Sequence, residues 1–290
     1  MRNLKALLEL IRIPGVFTAH ADILAGALVA GAGWRQIPDL ALLLIASSCF
    51  FSAGMALNDY FDRAIDQQER PTRPIPSGRV AQGTALGLGA ALLAAGVSIA
   101  FFVKAASFII ALLMAAAILL YDGCFKKIRW AGPLNMGFCR YLNLLLGISI
   151  FPLKPWIIFI PLLTWLYIFG ITVLSSGEVK GRDPFSVAVC LSCVAGVAFG
   201  YWLFTALDLL QNHVGFYFCL VWSSAAGFLL LRLFFKTSPG DYQKTIKWLL
   251  LLLVVLDGVI VCGAQSVAAG MLVFPLILPG GYVAKRFYMT

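Results

Sequence analysis

Asn58, Asp59, Asp62 and Asp66 put an amide and three carboxylates on one short stretch, and the basic, proline-rich run Arg70-Pro-Thr-Arg73-Pro-Ile-Pro-Ser-Gly-Arg79 follows at once. Positions i, i+3 and i+7 of a helix share a face, so Asp59, Asp62 and Asp66 stack together if the helix carrying Asn58 continues through Asp66. Asn58 joins that face four residues ahead of Asp62. Like charges stacked this way repel and need a cation. Arg63, Arg70 and Arg73 on a solvated loop are one source. A Mg2+ ion is the other, because oxygen-only ligands suit a hard cation that also holds phosphate oxygens. The arginines would then grip the same diphosphate bidentately. The spacing favours the metal.

The elements that carry these residues must be membrane helices. Of 290 residues, 61% are hydrophobic and 12% charged, and the mean hydropathy is +0.92. A soluble domain is roughly 25% charged. These figures exclude a disordered chain, a collagen, a coiled coil, a secreted disulfide scaffold and an ordinary soluble enzyme. The apolar runs are continuous and long, which fits helices crossing about 30 Å of hydrocarbon rather than strands. Nine runs stand out, at 16–33, 38–57, 82–103, 105–121, 134–151, 156–174, 185–207, 213–235 and 246–263. A last stretch, 267–283, contains Pro275 and Pro279 and is read as a tenth crossing rather than a re-entrant segment. The expectation is an all-α polytopic membrane protein of nine to ten transmembrane helices around a central cavity, one domain over residues 1–290.

Arg35, Lys104 and Lys154 fall at one end of these spans and Arg140 inside one, which leaves eighteen of the 22 Lys and Arg at the other end. That asymmetry places the basic end, both termini and the acidic segment in the cytoplasm. It also assigns the net charge of +9 to lipid headgroups rather than nucleic acid. Arg2 and Lys5 ahead of an apolar run mimic a secretion signal, but the basic region reaches Arg12 and the run has spanning length, so it reads as a retained first span. The seven cysteines mostly lie inside apolar runs, and the Cys190-x-x-Cys193 pair reads as packing.

Asn58-Asp59-x-x-Asp62-x-x-x-Asp66 followed by Arg70-Pro-x-Arg73-Pro-Ile-Pro-Ser-Gly resembles the first signature of the UbiA superfamily of intramembrane prenyltransferases. The resemblance spans nearly the whole chain. It implies transfer of a polyprenyl group from its diphosphate to a small, commonly aromatic, acceptor with Mg2+. By position, Asn58, Asp59, Asp62 and Asp66 match the metal–diphosphate motif, and Arg70 and Arg73 its basic part. Tyr121-Asp-Gly-Cys-Phe-Lys126, then Asn135, resembles a second family loop, with Lys126 and Asn135 on the diphosphate and Tyr121 facing the reacting carbon; alone, these residues read as an interface anchor and ordinary basic residues. The third loop departs from the family's second acidic motif. Only Glu178 and Asp183 are acidic there, as candidate metal ligands, with Lys180 as a phosphate contact. Asp66 or Glu178 is the candidate to deprotonate the acceptor. Cys139-Arg140-Tyr-Leu-Asn143 and the last residues are most similar to the UbiA-like EboC group.

Arg140 shares a helix face with Asn143, and a charge within a span usually faces a polar cavity, so it is expected to contact diphosphate or acceptor. His20, Asp22 and Asp257 raise the same question, with pairing among themselves or with backbone as the plain alternative. The expected partners are therefore a polyprenyl diphosphate, a small-molecule acceptor and membrane lipid. The expected location is the inner membrane of the cell. A non-catalytic membrane scaffold and a prenyl diphosphate hydrolase or cyclase are the rival readings.

Overall fold

Proline opens four of the long apolar helices, in the first turn, where its missing N–H has no helical partner to lose. These are α2 (Ile13–Val29), α3 (Ile37–Phe61), α9 (Pro184–Ala206) and α11 (Pro239–Ala264). The computed structural model describes residues 2–175, 181, 183–236 and 238–278. Besides these four helices it contains α1 (Arg2–Leu10), α4 (Arg63–Glu69), α5 (Gln82–Phe101), α6 (Ala105–Gly123), α7 (Ala131–Ile148), α8 (Leu162–Ser175), α10 (Val214–Phe234) and α12 (Val267–Met271), and no strand among the described residues. Among the described residues, seven helical stretches are long and apolar enough to cross a bilayer. Helices α2 and α7 lie in the same bundle but are respectively shorter and more polar.

The chain runs round the bundle in order. Helix α2 packs on α3, α7 and α11; α3 packs on α5, α6 on α7, α7 on α8, α8 on α9, α9 on α10 and α10 on α11, which closes the circuit. The outer rim exposes Phe199, Trp202, Tyr217, Val221 and Phe228, as expected where the surrounding solvent is lipid. Inside, α2 and α7 approach through glycines. A Cβ on Gly26 would strike the Leu144 carbonyl oxygen, and one on Gly147 would strike that of Ile23. Without a hydrophobic drive between helices in lipid, such close backbone packing holds them together. The variant Gly26→Ala is expected to lose about 3 kcal/mol, the upper end for overpacking, because the obstacle is backbone and not a movable side chain. Thermal unfolding in detergent measures this, and an unchanged melting temperature would contradict it.

Two boundaries differ from the hydropathy reading. Helix α11 begins seven residues before its apolar run, because Ser238 caps it by accepting from the Gly240 N–H and a cap sets a helix end regardless of hydropathy. The stretch 267–283 is not one straight helix within its described part. Helix α12 ends at Met271, packs back on α11, and is followed by a 3-10 turn at Phe274–Leu276 with Pro275 in its first turn. Residues from 279 onward lie outside the described set.

Candidate active site

The helix carrying the acidic residues does not run unbroken through Asp66. Helix α3 stops at Phe61, Asp62 takes φ −88° and ψ 1°, and α4 resumes at Arg63. Helical hydrogen bonding nevertheless continues, from the Asp62 N–H to Asn58 O at 2.9 Å and from the Asp66 N–H to Asp62 O at 2.8 Å. The carboxylates divide. Asp59 and Asp66, two turns apart and each 2% exposed, converge on one nitrogen of Arg73, at 3.2 and 2.7 Å. Asp62 instead meets Lys126 Nζ at 2.7 Å, which lies 3.7 Å from Asp122. Arg70 stands farther off, 4.0 Å from Asp66.

Arg73 is positioned by the loop that follows it. Ile75 and Val80 bury their side chains with Ala6, Leu10, Ala56 and Ala85, and the Ser77 N–H and hydroxyl both donate to Arg73 O. Arg79 ties the same loop to Glu9 on α1. Between α1 and α2, Arg12 adopts the left-handed conformation, φ 47° and ψ 56°, a costly geometry for a side-chain-bearing residue and one that clusters at functional sites. This turn brings its guanidinium to Asp59 at 3.1 Å. Burial pulls the Arg12 guanidinium below its ordinary value, opposed by the Asp59 carboxylate. Arg12 escapes a reading of the sequence because it looks like any basic residue flanking a span. Asp122 escapes it too, standing inside the Tyr121–Lys126 motif; it is buried and accepts from Asn58 Nδ2 at 3.1 Å.

Among the described residues, four basic side chains (Arg12, Arg70, Arg73, Lys126) and four acidic ones (Asp59, Asp62, Asp66, Asp122) thus share this mouth. Their formal charges cancel. A polyanionic diphosphate entering here would find no surplus positive charge among the described residues, and an accompanying cation would supply it. Among the described residues no three His, Cys, Asp or Glu side chains group closely enough to hold a metal ion unaided. Mg2+ does not require that. It commonly takes one or two carboxylates and completes its shell with phosphate oxygens and water. Asp59 and Asp66, already gathered around one cationic nitrogen, fit that role.

Below the mouth is a cavity of about 420 Å³ enclosed by α2, α3, α6, α7, α8 and α11. Phe50, Phe51, Met55, Met114, Ile118 and Ile171 supply most of its apolar wall, with Tyr121 near the mouth. Arg140 and Asn143 enter the wall from α7. Arg140 donates to Asp22 Oδ2 at 3.0 Å and to Thr18 Oγ1 at 2.9 Å. Asn143 donates to Asp22 and to Ala19 O, and accepts from Ser47. Asp257 of α11 lies against Asp22 and is fully buried. His20 pairs with Ser48 at 2.7 Å.

The structure therefore brings Asn58, Asp59, Asp62, Asp66, Arg70, Arg73 and Lys126 to one mouth, with Tyr121 in the wall beneath. Asn135 lies elsewhere, donating to Ala117 O at 2.7 Å in the α6–α7 contact. Asp183 caps α9 by accepting from the Ser186 N–H. Glu178 and Lys180 lie outside the described residues.

Residues 22–253 match the UbiA prenyltransferase family. A digeranylgeranylglyceryl phosphate synthase of Sulfurisphaera tokodaii is 34% identical over 182 residues, 62% of this chain and 64% of the relative. One from Methanothrix thermoacetophila is 36% identical over 141 residues, 49% of this chain and 53% of the relative. The aligned stretch thus spans between half and two thirds of these relatives. Among solved structures, a digeranylgeranylglyceryl phosphate synthase superposes with a TM-score of 0.71 at 22% identity, covering 91% of this chain and 99% of the other. A UbiA homolog from Archaeoglobus fulgidus bound to GPP and Mg2+ superposes with a TM-score of 0.62 at 15% identity, covering 93% and 99%.

Proposed function

Since the chain belongs to the UbiA prenyltransferase family, we propose that it is an intramembrane, Mg2+-dependent transferase moving a polyprenyl group from its diphosphate to a small polar acceptor. The observation that carries this reading is the charge-balanced mouth, four acids and four bases, set over an apolar cavity. The names of the similar proteins, and GPP and Mg2+ in one of the solved homologs, point the same way.

Asp59 and Asp66, with Asp62 beside them, would hold Mg2+, which when bound neutralises the diphosphate and stabilises it as a leaving group. Arg73 and Arg70 take diphosphate oxygens once they have a better anion than their carboxylate partners, and Arg12 remains on Asp59. Lys126 follows the charge that develops on the bridging oxygen. The prenyl chain lies among Phe50, Phe51, Met55 and Met114, where water is excluded from the allylic centre and aromatic faces stabilise its positive charge. Asp66 or Glu178 would take the acceptor's proton. Arg140, in the wall below, marks the boundary of the reacting region. The basic ends of the spans support a cytoplasmic orientation of this mouth, in the inner membrane of the cell.

Detergent-purified protein with Mg2+, farnesyl or geranylgeranyl diphosphate and a small-molecule extract of the source cell tests this. Diphosphate release that requires both Mg2+ and Asp62, with Asp62→Ala as control, and a new prenylated mass is the expected result. Release with only a prenyl alcohol or hydrocarbon moves the assignment to hydrolase or cyclase. Absence of Mg2+-dependent prenyl diphosphate binding removes catalysis and leaves a scaffold.

A further inference from the structure

Asp22 of α2 and Asp257 of α11 are both fully buried, at the seam where these two helices close the circuit. Their carboxyl groups lie within hydrogen-bonding reach of each other. Every donor that reaches the pair goes to one atom. Arg140 and the Asn143 amide both donate to Asp22 Oδ2, at 3.0 and 2.9 Å. The other terminal nitrogen of Arg140 is spent on Thr18 Oγ1, and Asn143 also donates to Ala19 O. Asp22 Oδ1 and both oxygens of Asp257 receive no donor among the described residues. The other neighbours of α11 do not supply one. Tyr167 of α8 donates to Leu249 O and Trp222 of α10 to Leu252 O. Arg232 stands in the last turn of α10, and α12 has no ionisable side chain.

Two acids, one guanidinium and three bare oxygens do not balance. An uncompensated charge within a span is expensive, and two carboxyl groups in contact do not both ionise. The missing partner is either a metal ion or a proton. A metal ion stripped of water takes about six oxygens. Three are free here, on two side chains, and no three His, Cys, Asp or Glu side chains are grouped among the described residues. A proton needs only two. Carried by Asp257 and aimed at Asp22 Oδ1, it gives that oxygen its donor. It also leaves a single anion, Asp22, opposite a single cation, Arg140.

We infer that Asp22 and Asp257 form a proton-binding site within the bilayer, in which Asp257 is a neutral acid donating to Asp22 Oδ1 and Asp22 is the charged partner of Arg140. The bound proton joins α2 to α11. It also makes Asp257 a positioning residue for Arg140. With Asp257 neutral, the guanidinium answers to Asp22 alone and stays in the cavity wall beside Thr18 and Asn143, which line the same cavity. The site stands apart from the transferase reading, since it uses none of the residues at the mouth.

Infrared difference spectroscopy of the detergent-purified full chain, native minus Asp257→Asn, tests for the proton directly. The expected result is the C=O stretch of a protonated carboxylic acid, shifted on deuterium exchange and missing from the variant. Absence of that band overturns the site. Thermal melts separate the roles of the two acids. Asp257→Asn keeps a neutral donor toward Asp22 and is expected to melt within about 2 °C of the native protein. Asp257→Leu is equally neutral but donates nothing, and should melt lower by about 4 °C or more. Asp22→Asn takes the anion from Arg140 and should melt lower still. A rise of about 4 °C in Asp257→Asn would mean that native Asp257 is ionised and unpaired. A fall of that size in the same variant, or a native melt that drops when Na+ and K+ are replaced by choline, would assign the three oxygens to a metal ion. Either result overturns the proton site.

Discussion

Asp66→Asn is expected to lower kcat/KM for the prenyl diphosphate by roughly a thousandfold, equivalent to about 4 kcal/mol of transition-state stabilisation. The substitution keeps the shape of the side chain and removes one negative charge at a site 2% exposed. Arg73, which reaches Asp66 at 2.7 Å and Asp59 at 3.2 Å, keeps only the longer of its two ion pairs. The described side chains of the mouth then carry one net positive charge before any ligand binds. Prenyl diphosphate without metal should therefore bind the variant as well as or better than the native protein, while turnover collapses because Mg2+ has lost a ligand. That split, a retained Kd with a lost rate and a Mg2+ requirement moved to higher concentration, separates loss of a metal ligand from misfolding. Asp241→Asn is the comparison. Its pair with Lys236, at 2.7 Å, is partly solvent-exposed, and such pairs contribute about 0–1 kcal/mol. A similar loss of turnover in both variants would mean that Asp66 has no special role.

The parts of this arrangement legible in the sequence are those encoded locally. A run of apolar residues suffices to announce a membrane helix, and Asp59 and Asp66 fall on one face because seven residues are close to two turns. Their arginine was legible also, since Arg73 lies on the same loop. Contacts between distant segments were not. Arg12 reaches Asp59 across 47 residues, and Arg140 finds Asp22 across 118. Pairing of this kind depends on how helices are arranged around the bundle, which hydropathy leaves open. The break at Asp62 has no proline or glycine to signal it, and the early start of α11 depends on the cap at Ser238. Asn135 shows the limit of motif matching. Its amide is used to hold α7 against the α6 backbone, and a polar residue beside a reactive loop looks the same in sequence whether it serves packing or ligand.

Arg140→Met carries the largest expected effect on stability, a loss of about 3–5 kcal/mol, the range for removing one partner of a buried ion pair. Methionine fills nearly the same volume, so a cavity contributes little and the cost is electrostatic. Asp22 is fully buried and keeps only the Asn143 amide as a donor once the guanidinium is gone. Asp257 beside it has no hydrogen-bond donor for either carboxylate oxygen among the described residues. Two carboxyl groups would then face each other within the bilayer with no cation. Adding Asp22→Asn to Arg140→Met removes one of those charges while preserving the contact with Asn143. The double variant should consequently melt above the single Arg140→Met variant, although Asp22→Asn alone melts below the native protein. That non-additivity measures the coupling between the two side chains. Thermal melts of all four proteins in one detergent complete the cycle, and additive losses would show that the pair contributes nothing as a pair. The prenyl diphosphate KM of the folded fraction adds the functional side of the same experiment. With both terminal nitrogens of Arg140 already engaged, by Asp22 and Thr18, the guanidinium braces the cavity wall first and meets substrate second. KM is expected to rise by less than about tenfold, under 1.4 kcal/mol, whereas a hundredfold rise would make Arg140 a primary diphosphate ligand.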